Sequence, residues 1–126
     1  FVFPYMTRLF EQLDSDIPLI HFGVSTATLL KQQKEAGGNV IGLDFRVDIK
    51  AAWQELGPIA IQGNLDPCVL YADKDTVRCE ARRILDQVQG KNGHIFNLGH
   101  GILPTTPVDN VIELVDFVHE YSQKRS

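Results

Sequence analysis

The sequence has little cysteine and lacks the residue spacings that bind metal ions. Its two cysteines, Cys68 and Cys79, are too far apart for a Cys-x-x-Cys redox or zinc motif, and no histidine and cysteine cluster has the spacing of a zinc site. Apolar, helix-like surroundings favour plain buried or half-buried thiols, although the two cysteines could also form one disulfide. Because free thiols fit a reducing compartment, we expect a cytoplasmic protein without a metal site.

Positive charge and long apolar runs are also scarce. The net charge is -4 at pH 7, whereas nucleic-acid binding needs clustered lysine and arginine, so we expect no nucleic-acid partner. Arg78, Arg82 and Arg83 lie close together, but acidic residues surround them, which is typical of the solvated face of a helix. No apolar run approaches the roughly 20 residues of a membrane span, so we expect no membrane partner.

Two motifs that are common in α/β enzymes are missing. The Gly-x-Ser-x-Gly elbow, which presents a nucleophilic serine at the end of a strand, does not occur. No apolar segment is followed by the glycine-rich phosphate fingerprint of dinucleotide-binding folds. The sequence therefore does not predict a serine hydrolase of this type or a dinucleotide-binding domain.

What is present is a repeated alternation of short apolar segments with amphipathic ones. The apolar segments predict strands at residues 17–22, 39–44, 59–62 and 94–98. The amphipathic segments predict helices at residues 4–13, 26–36 and 48–56, between an N-cap at Asp73 and a terminating Gly90, and from 106 to about 123. Asp66 followed by Pro67 predicts a further helical start.

Apolar strands that are separated by helices rather than by hairpin turns predict a parallel sheet covered by helices. Four such units fit a small open doubly wound sheet or half of an eight-stranded (β/α)8 TIM-type barrel, and the missing phosphate fingerprint favours the barrel. No segment resembles a linker, so we expect residues 1–126 to form a single domain. The chain opens at Phe1 in mid-pattern, without the basic leader of a signal peptide, which predicts that an upstream part is missing.

His100 is the most suggestive of the polar residues at the strand ends. Ligands of parallel α/β proteins bind beyond the carboxyl ends of the strands, and His100 lies there between two glycines. Its imidazole can donate or accept a hydrogen bond or carry charge near neutral pH. A histidine that only ties loop backbone together fits the same pattern. The residues alone do not separate these two interpretations.

Four further polar residues occupy strand ends and are possible pocket-lining residues. Asp44 and Arg46 follow the second strand, where a helix-capping aspartate with a paired arginine is favoured over ligand contact. Gln62 and Asn64 flank Gly63, where a tight strand-to-helix turn is favoured over a close approach to a ligand.

Several segments, taken in order, resemble the uroporphyrinogen decarboxylase family. They are residues 40–45 (VIGLDF), 62–67 (QGNLDP) and 97–102 (NLGHGI) followed by Pro104, and residues 115–122 (VDFVHEYS) are similar to the last helix of that family. The resemblance runs across nearly the whole chain. Phe45 stands where many members have tryptophan, a departure that bears on packing more than on activity.

The resemblance implies a (β/α)8 barrel whose last four strands are those predicted here, with the N-terminal half absent. The family's reaction, in haem biosynthesis, removes the carboxyl groups of four acetate side chains from uroporphyrinogen and gives coproporphyrinogen and carbon dioxide, with no metal or organic cofactor. Protonation of a pyrrole carbon makes the ring an electron sink for the departing carboxylate. Of the family's site residues, only the histidine of NLGHG carries over. It is His100, as a substrate-contacting and polarising residue.

The same resemblance implies that the site here is incomplete. The family's substrate-gripping arginines, together with an aspartate, a tyrosine and a serine, lie upstream of the segment that resembles this chain. Arg46 is the only basic residue at a predicted strand end, so we expect the 126 residues alone not to turn over an octa-anionic substrate. The resemblance also implies a homodimer.

Two alternatives stay open. Cobamide-dependent methyltransferases share this barrel but bind zinc through His-x-Cys and a later cysteine, where this chain has His21-Phe22-Gly23 and Gly99-His100. The other alternative is a half barrel that has no catalytic role and acts only as a binding module. A half barrel leaves two sheet edges unpaired, which favours dimerisation or aggregation.

Overall fold

A computed structural model describes residues 1–14, 16–88 and 91–124, and within these ranges short strands alternate with helices. The strands are β1 (Ile20–Phe22), β2 (Val40–Gly42), β3 (Ala60–Gln62) and β4 (His94–Ile95). The α-helices are α1 (Phe3–Glu11), α2 (Leu30–Ala36), α3 (Ile49–Leu56), α4 (Lys74–Gln87) and α5 (Val108–Gln123). Two 3₁₀ helices span Ala27–Leu29 and Pro67–Tyr71. The predicted alternation is confirmed.

The four strands form one parallel sheet whose order, β1-β2-β3-β4, follows the chain. A doubly wound sheet reverses its direction of growth at a switch point, whereas the strands of a barrel add in sequence around the axis. No reversal occurs among the described strands. The structure therefore has the α/β architecture of successive barrel units rather than that of an open doubly wound sheet.

The register divides the strand residues between two faces, because successive side chains of a strand point to opposite sides. His21, Ile41, Ile61 and His94 lie side by side in one row, and both isoleucines are fully buried. Helices cover this face: each of α1 to α4 packs against the next one in the chain. The core between sheet and helices includes Leu65, Leu70, Val77 and Ile84 as well as the strand residues.

The opposite face of the sheet is more open within the described residues. Phe22, Gly42, Gln62 and Ile95 form its row, and Phe22 is 42% exposed. In a closed barrel this face points toward the axis. The open face and the loops that follow the strands meet at one edge of the sheet, which is where the candidate site lies.

Side-chain caps fix three of the helix starts. Asp48 accepts a hydrogen bond from the Ala51 N–H ahead of α3, and Asp73 accepts one from the Thr76 N–H ahead of α4. Asp66 accepts a hydrogen bond from the Cys68 N–H at the start of the Pro67–Tyr71 3₁₀ helix. Such caps stabilise a helix by about 1 kcal/mol each. The predicted starts at Asp66 and Asp73 are confirmed, while the predicted terminator Gly90 lies outside the described residues.

The predicted burial of the two thiols is wrong, since Cys68 and Cys79 are both exposed and free. In α4 the buried positions are Val77, Ala81 and Ile84, which recur with the period of a helix. Cys79 is two residues from Val77 and therefore points away from the core. Within the described residues, no helix is long and apolar enough to cross a membrane.

Candidate active site at the carboxyl ends of the strands

A cleft of about 340 Å³ opens where the strands end. Its lining residues come from the ends of β1 and β3, from the residue after β2, and from the loop after β4. They are Phe22, Leu43, Gln62, Asn97, Leu98, His100, Gly101 and Ile102. Two of the predicted site residues, Gln62 and His100, therefore lie in the same cleft. The other three, Asp44, Arg46 and Asn64, do not line it.

The imidazole of His100 is half-buried, and one of its nitrogens is already engaged. Nδ1 lies 2.8 Å from the carbonyl oxygen of Gly101. Because a carbonyl oxygen only accepts, Nδ1 must carry the hydrogen of this bond. In the neutral ring Nε2 is then an unprotonated acceptor, and in the charged ring it becomes a second donor. Either form can address a polar group in the cleft through Nε2.

The His100 loop is packed tightly against the loop that follows β2. The imidazole and the Phe45 ring form a T-shaped contact, with ring centres 5.3 Å apart and planes at 74°. At Gly99 the two backbones touch, and a Cβ atom there would overlap the backbone of Phe45. The Gly99 N–H also donates to the Leu65 carbonyl at 2.7 Å. Glycine is therefore required at position 99 by close approach, and this approach sets the position of His100.

The Asp44 carboxylate is buried, at 1% exposed, and fully hydrogen-bonded. It accepts from the backbone N–H groups of Ser25 and Arg46, at 3.0 and 2.9 Å, and from Nη1 of Arg46 at 3.0 and 3.2 Å. Burial works to raise the pKa of Asp44, but the two backbone hydrogen bonds and the Arg46 guanidinium outweigh it and lower the pKa below its usual value. Asp44 is therefore an ionised residue that ties the loops after β1 and β2 together.

Arg46 lies at the rim of this edge of the sheet. Its side chain is 57% exposed, and its guanidinium carbon sits 4.2 Å from the centre of the Phe45 ring. No other lysine or arginine occurs in the loops that follow the four strands. Arg46 is thus the permanent positive charge nearest to His100 along these loops.

Gln62 and Asn64 have different surroundings. Gln62 ends β3, and its side chain borders the cleft. Asn64 is 5% exposed, and its Nδ2 donates to the carbonyl oxygens of Asp44 and Val47 at 2.9 and 2.6 Å. Asn64 therefore holds the loop that carries Asp44 and Arg46.

Sequence reasoning missed some of the residues that shape this site. Phe22 and Leu43 line the cleft but were assigned only to apolar strands. Ser25, with φ of 60°, turns its backbone N–H toward Asp44 from 19 positions earlier in the chain. The place of Ser25 just after the first strand follows from the sequence and marks it as a strand-end position, but its bond to Asp44 does not follow from the sequence.

Two other histidines lie on the helix-covered face of the sheet, away from the cleft. Nδ1 of the half-buried His21 donates to the Gly37 carbonyl at 3.1 Å. Nε2 of His94 donates to the Gly63 carbonyl at 2.8 Å, and burial lowers the pKa of His94 while that bond partly opposes the shift. His94 also borders a larger groove of about 470 Å³ between β4 and α5, whose other lining residues are mostly apolar.

The sequence and the fold of this chain are both similar to those of known proteins. A sequence profile described as "Uroporphyrinogen decarboxylase (URO-D)" matches residues 1–121. The chain belongs to the uroporphyrinogen decarboxylase family. The uroporphyrinogen decarboxylase of Geotalea uraniireducens is 50% identical over 125 residues, covering 98% of this chain and 37% of the relative. That of Thermus thermophilus is 51% identical over 121 residues, covering 95% of this chain and 36% of the relative.

The chain thus spans a little over a third of the length of the curated relatives it matches. A solved structure, a methyltransferase from Methanosarcina mazei, superposes with a TM-score of 0.81 at 20% identity. The match covers 97% of this chain and 36% of that chain. This likeness supports the fold of successive barrel units. Within the described ranges, no three His, Cys, Asp or Glu side chains are grouped as a metal site requires.

Proposed function

We propose that the protein containing this chain decarboxylates uroporphyrinogen. In this reaction four acetate side chains become methyl groups, with one carbon dioxide released and one proton taken up at each. The observation that carries the proposal is membership of the uroporphyrinogen decarboxylase family over residues 1–121, with the His100 loop of that family bordering a cleft. The relatives matched are named for this activity.

In this proposal His100 contacts and polarises the substrate through Nε2. The bond from Nδ1 to Gly101 fixes the ring and leaves Nε2 as the working atom. A neutral Nε2 accepts a hydrogen bond from a pyrrole N–H, and a protonated one donates to a substrate carboxylate. Both contacts stabilise charge that changes as the ring is protonated and the carboxylate departs. No cofactor is assigned to this chain.

The 126 residues form one domain unit that does not act alone under this proposal. The sheet edges at β1 and β4, the open face of the sheet and the groove beside α5 are the surfaces on which the rest of a barrel would pack. Residues beyond this chain would supply most of the charge that binds an octa-anionic substrate. We further propose a cytoplasmic homodimer, on the basis of family resemblance.

The test is a decarboxylation assay on the longest natural chain that contains these residues, beside His100→Asn. Products are separated by chromatography according to their number of carboxylates. We expect stepwise conversion to coproporphyrinogen by the parent, and slowed conversion with accumulated intermediates in the variant. No conversion by a folded parent chain would overturn the proposed function, and equal rates in the variant would remove His100 from the mechanism.

A cobamide-dependent methyltransferase activity is not proposed. The positions that would carry its zinc-binding cysteines hold Gly23 and His100, neither of which supplies a thiolate. Stoichiometric zinc in the purified protein would revive that alternative. A half-barrel binding module would instead require this segment alone to be stable and monodisperse in light scattering.

A further inference from the structure

Arg46 is held by one edge of its guanidinium, and the other edge is open. Nη1 donates to both carboxylate oxygens of Asp44, and the guanidinium carbon lies over the ring of Phe45, 4.2 Å from its centre. Among the residues that the structure describes, Nε and Nη2 of Arg46 have no hydrogen-bond partner. These two N–H groups form the side-on fork that matches the two oxygens of a carboxylate.

The pairing with Asp44 makes this fork rigid. Asp44 is 1% exposed and is itself held by two backbone N–H groups, so it is a fixed partner for the arginine. The Arg46 side chain remains 57% exposed. An arginine that is already immobilised loses less conformational entropy when it binds a ligand. An ordinary surface ion pair would be free to rotate away, whereas this one is pinned by two bonds and an aromatic face.

The fork is also connected to His100 through a single ring. Phe45 contacts the Arg46 guanidinium at 4.2 Å and the His100 imidazole at 5.3 Å between centres. A tetrapyrrole macrocycle that carries eight side-chain carboxylates is wide enough to meet both groups at once. Because no other lysine or arginine lies in the loops after the four strands, Arg46 is the one fixed cation that these loops offer to such a substrate.

We propose that Arg46 is a substrate-binding residue that grips one side-chain carboxylate of the porphyrinogen through Nε and Nη2, beside the contact made by His100. This inference rests on the proposed function. Its alternative is a purely structural arginine that only neutralises Asp44. The two differ in what a lysine does at position 46, since lysine keeps a positive charge for Asp44 but cannot form the fork.

The experiment uses the longest natural chain that contains these residues, with Arg46→Lys and Arg46→Gln, and with Arg83→Lys and Arg83→Gln as matched controls. Arg83 is an exposed arginine on α4 paired with Glu80 at 2.8 Å. KM and kcat are measured separately for uroporphyrinogen and for the intermediates with seven, six and five carboxylates. We expect KM to rise roughly tenfold in Arg46→Lys and further in Arg46→Gln, with parental values in both Arg83 variants.

The series of intermediates identifies which carboxylate is held. If Arg46 grips one of the four that remain on the product, KM rises by the same factor for every intermediate. If it grips an acetate, the factor falls as the acetates are removed. Either pattern supports the inference. A parental KM in Arg46→Lys, or a loss confined to kcat, would overturn the inference. A circular dichroism spectrum and a melting temperature equal to those of the parent show that Arg46→Lys is folded.

The outcomes also separate this inference from the proposed function. A parent chain without any decarboxylase activity refutes the function itself. An active parent with unaffected Arg46 variants refutes only the role of Arg46.

Discussion

The contact between Gly99 and Phe45 makes a sharp prediction about the Gly99→Ala variant. A methyl group at position 99 would lie 2.5 Å from both Cα and Cβ of Phe45 and still nearer to its backbone nitrogen. Non-bonded carbon atoms normally approach no closer than about 3.5 Å, so the two loops must separate by on the order of 1 Å. Backbone rather than a flexible side-chain tip blocks the methyl group, so no rotamer change relieves the overlap.

The cost of that separation can be estimated. Overpacking of this kind destabilises a protein by about 1–3 kcal/mol. The Phe45 ring contacts both His100 and Arg46, so the displacement also reaches the two groups proposed to meet the substrate. A misplacement of about 1 Å at a reacting site can lower turnover roughly a hundredfold. We therefore expect both a lower free energy of unfolding and a large loss of decarboxylase activity.

Gly101→Ala is the matched control, since it makes the same change in the same loop. A Cβ atom at Gly101 would have no neighbour within 4 Å, and the carbonyl that accepts from His100 is retained. The free energy of unfolding is measured by urea denaturation of the longest natural chain, and activity by product chromatography. Equal stability and equal activity in the two alanine variants would refute the reasoning about close approach.

Three further predictions concern the same loops. Asp44→Asn should lower the free energy of unfolding by about 1–3 kcal/mol at pH 7, since buried donors lose their ionised partner. The pKa of Asp44 is lowered in the folded state, so its contribution to the free energy of unfolding is fully present above the unfolded pKa of about 3.9 and disappears as the pH falls through the folded pKa. The difference in stability between parent and variant should therefore shrink below pH 4 in urea titrations. A difference that does not change with pH would contradict this. Asn64→Ala should cost a similar amount, about 1–3 kcal/mol, by leaving the carbonyls of Asp44 and Val47 without their donor, and a parental urea midpoint would count against it. Finally, the Asp66 carboxylate raises the pKa of the exposed Cys68 thiol. Because the thiolate is the reactive form, Asp66→Asn should speed alkylation of Cys68 at pH 8, which mass spectrometry of the Cys68 peptide can follow. An unchanged alkylation rate would argue against this electrostatic effect.

The elements of this fold were largely predictable because their causes are local. Apolar runs bounded by capping residues are enough to place a strand or a helix start, and the caps at Asp66 and Asp73 follow from their own side chains. The predicted strands were longer than observed: residues 17–22 yield only Ile20–Phe22. Pro18 has no N–H to contribute to a sheet, which is consistent with the shortened strand.

The site was predictable only in part, because its decisive contacts join distant segments. The place of His100 beyond a strand followed from the order of the elements. The collision of Gly99 with Phe45 and the bond from Ser25 to Asp44 depend on how loops from different strands fold over the sheet edge. The spacing of apolar residues along the sequence does not predict contacts of this kind. For the same reason Asn64, which looked like a possible ligand contact, is found donating to two carbonyls beneath the loop.

The sequential order of the strands has a consequence for how the protein is made. Each strand pairs with the one that precedes it in the chain, so β2 finds its partner as soon as it is synthesised, and β3 and β4 follow in turn. Contacts between units that are close in sequence form early, because little chain must be brought together. The loop that carries His100 follows β4 in the chain, and α5 follows that loop. Along a growing chain, the His100 loop and α5 are therefore the last parts of this segment to acquire their final positions.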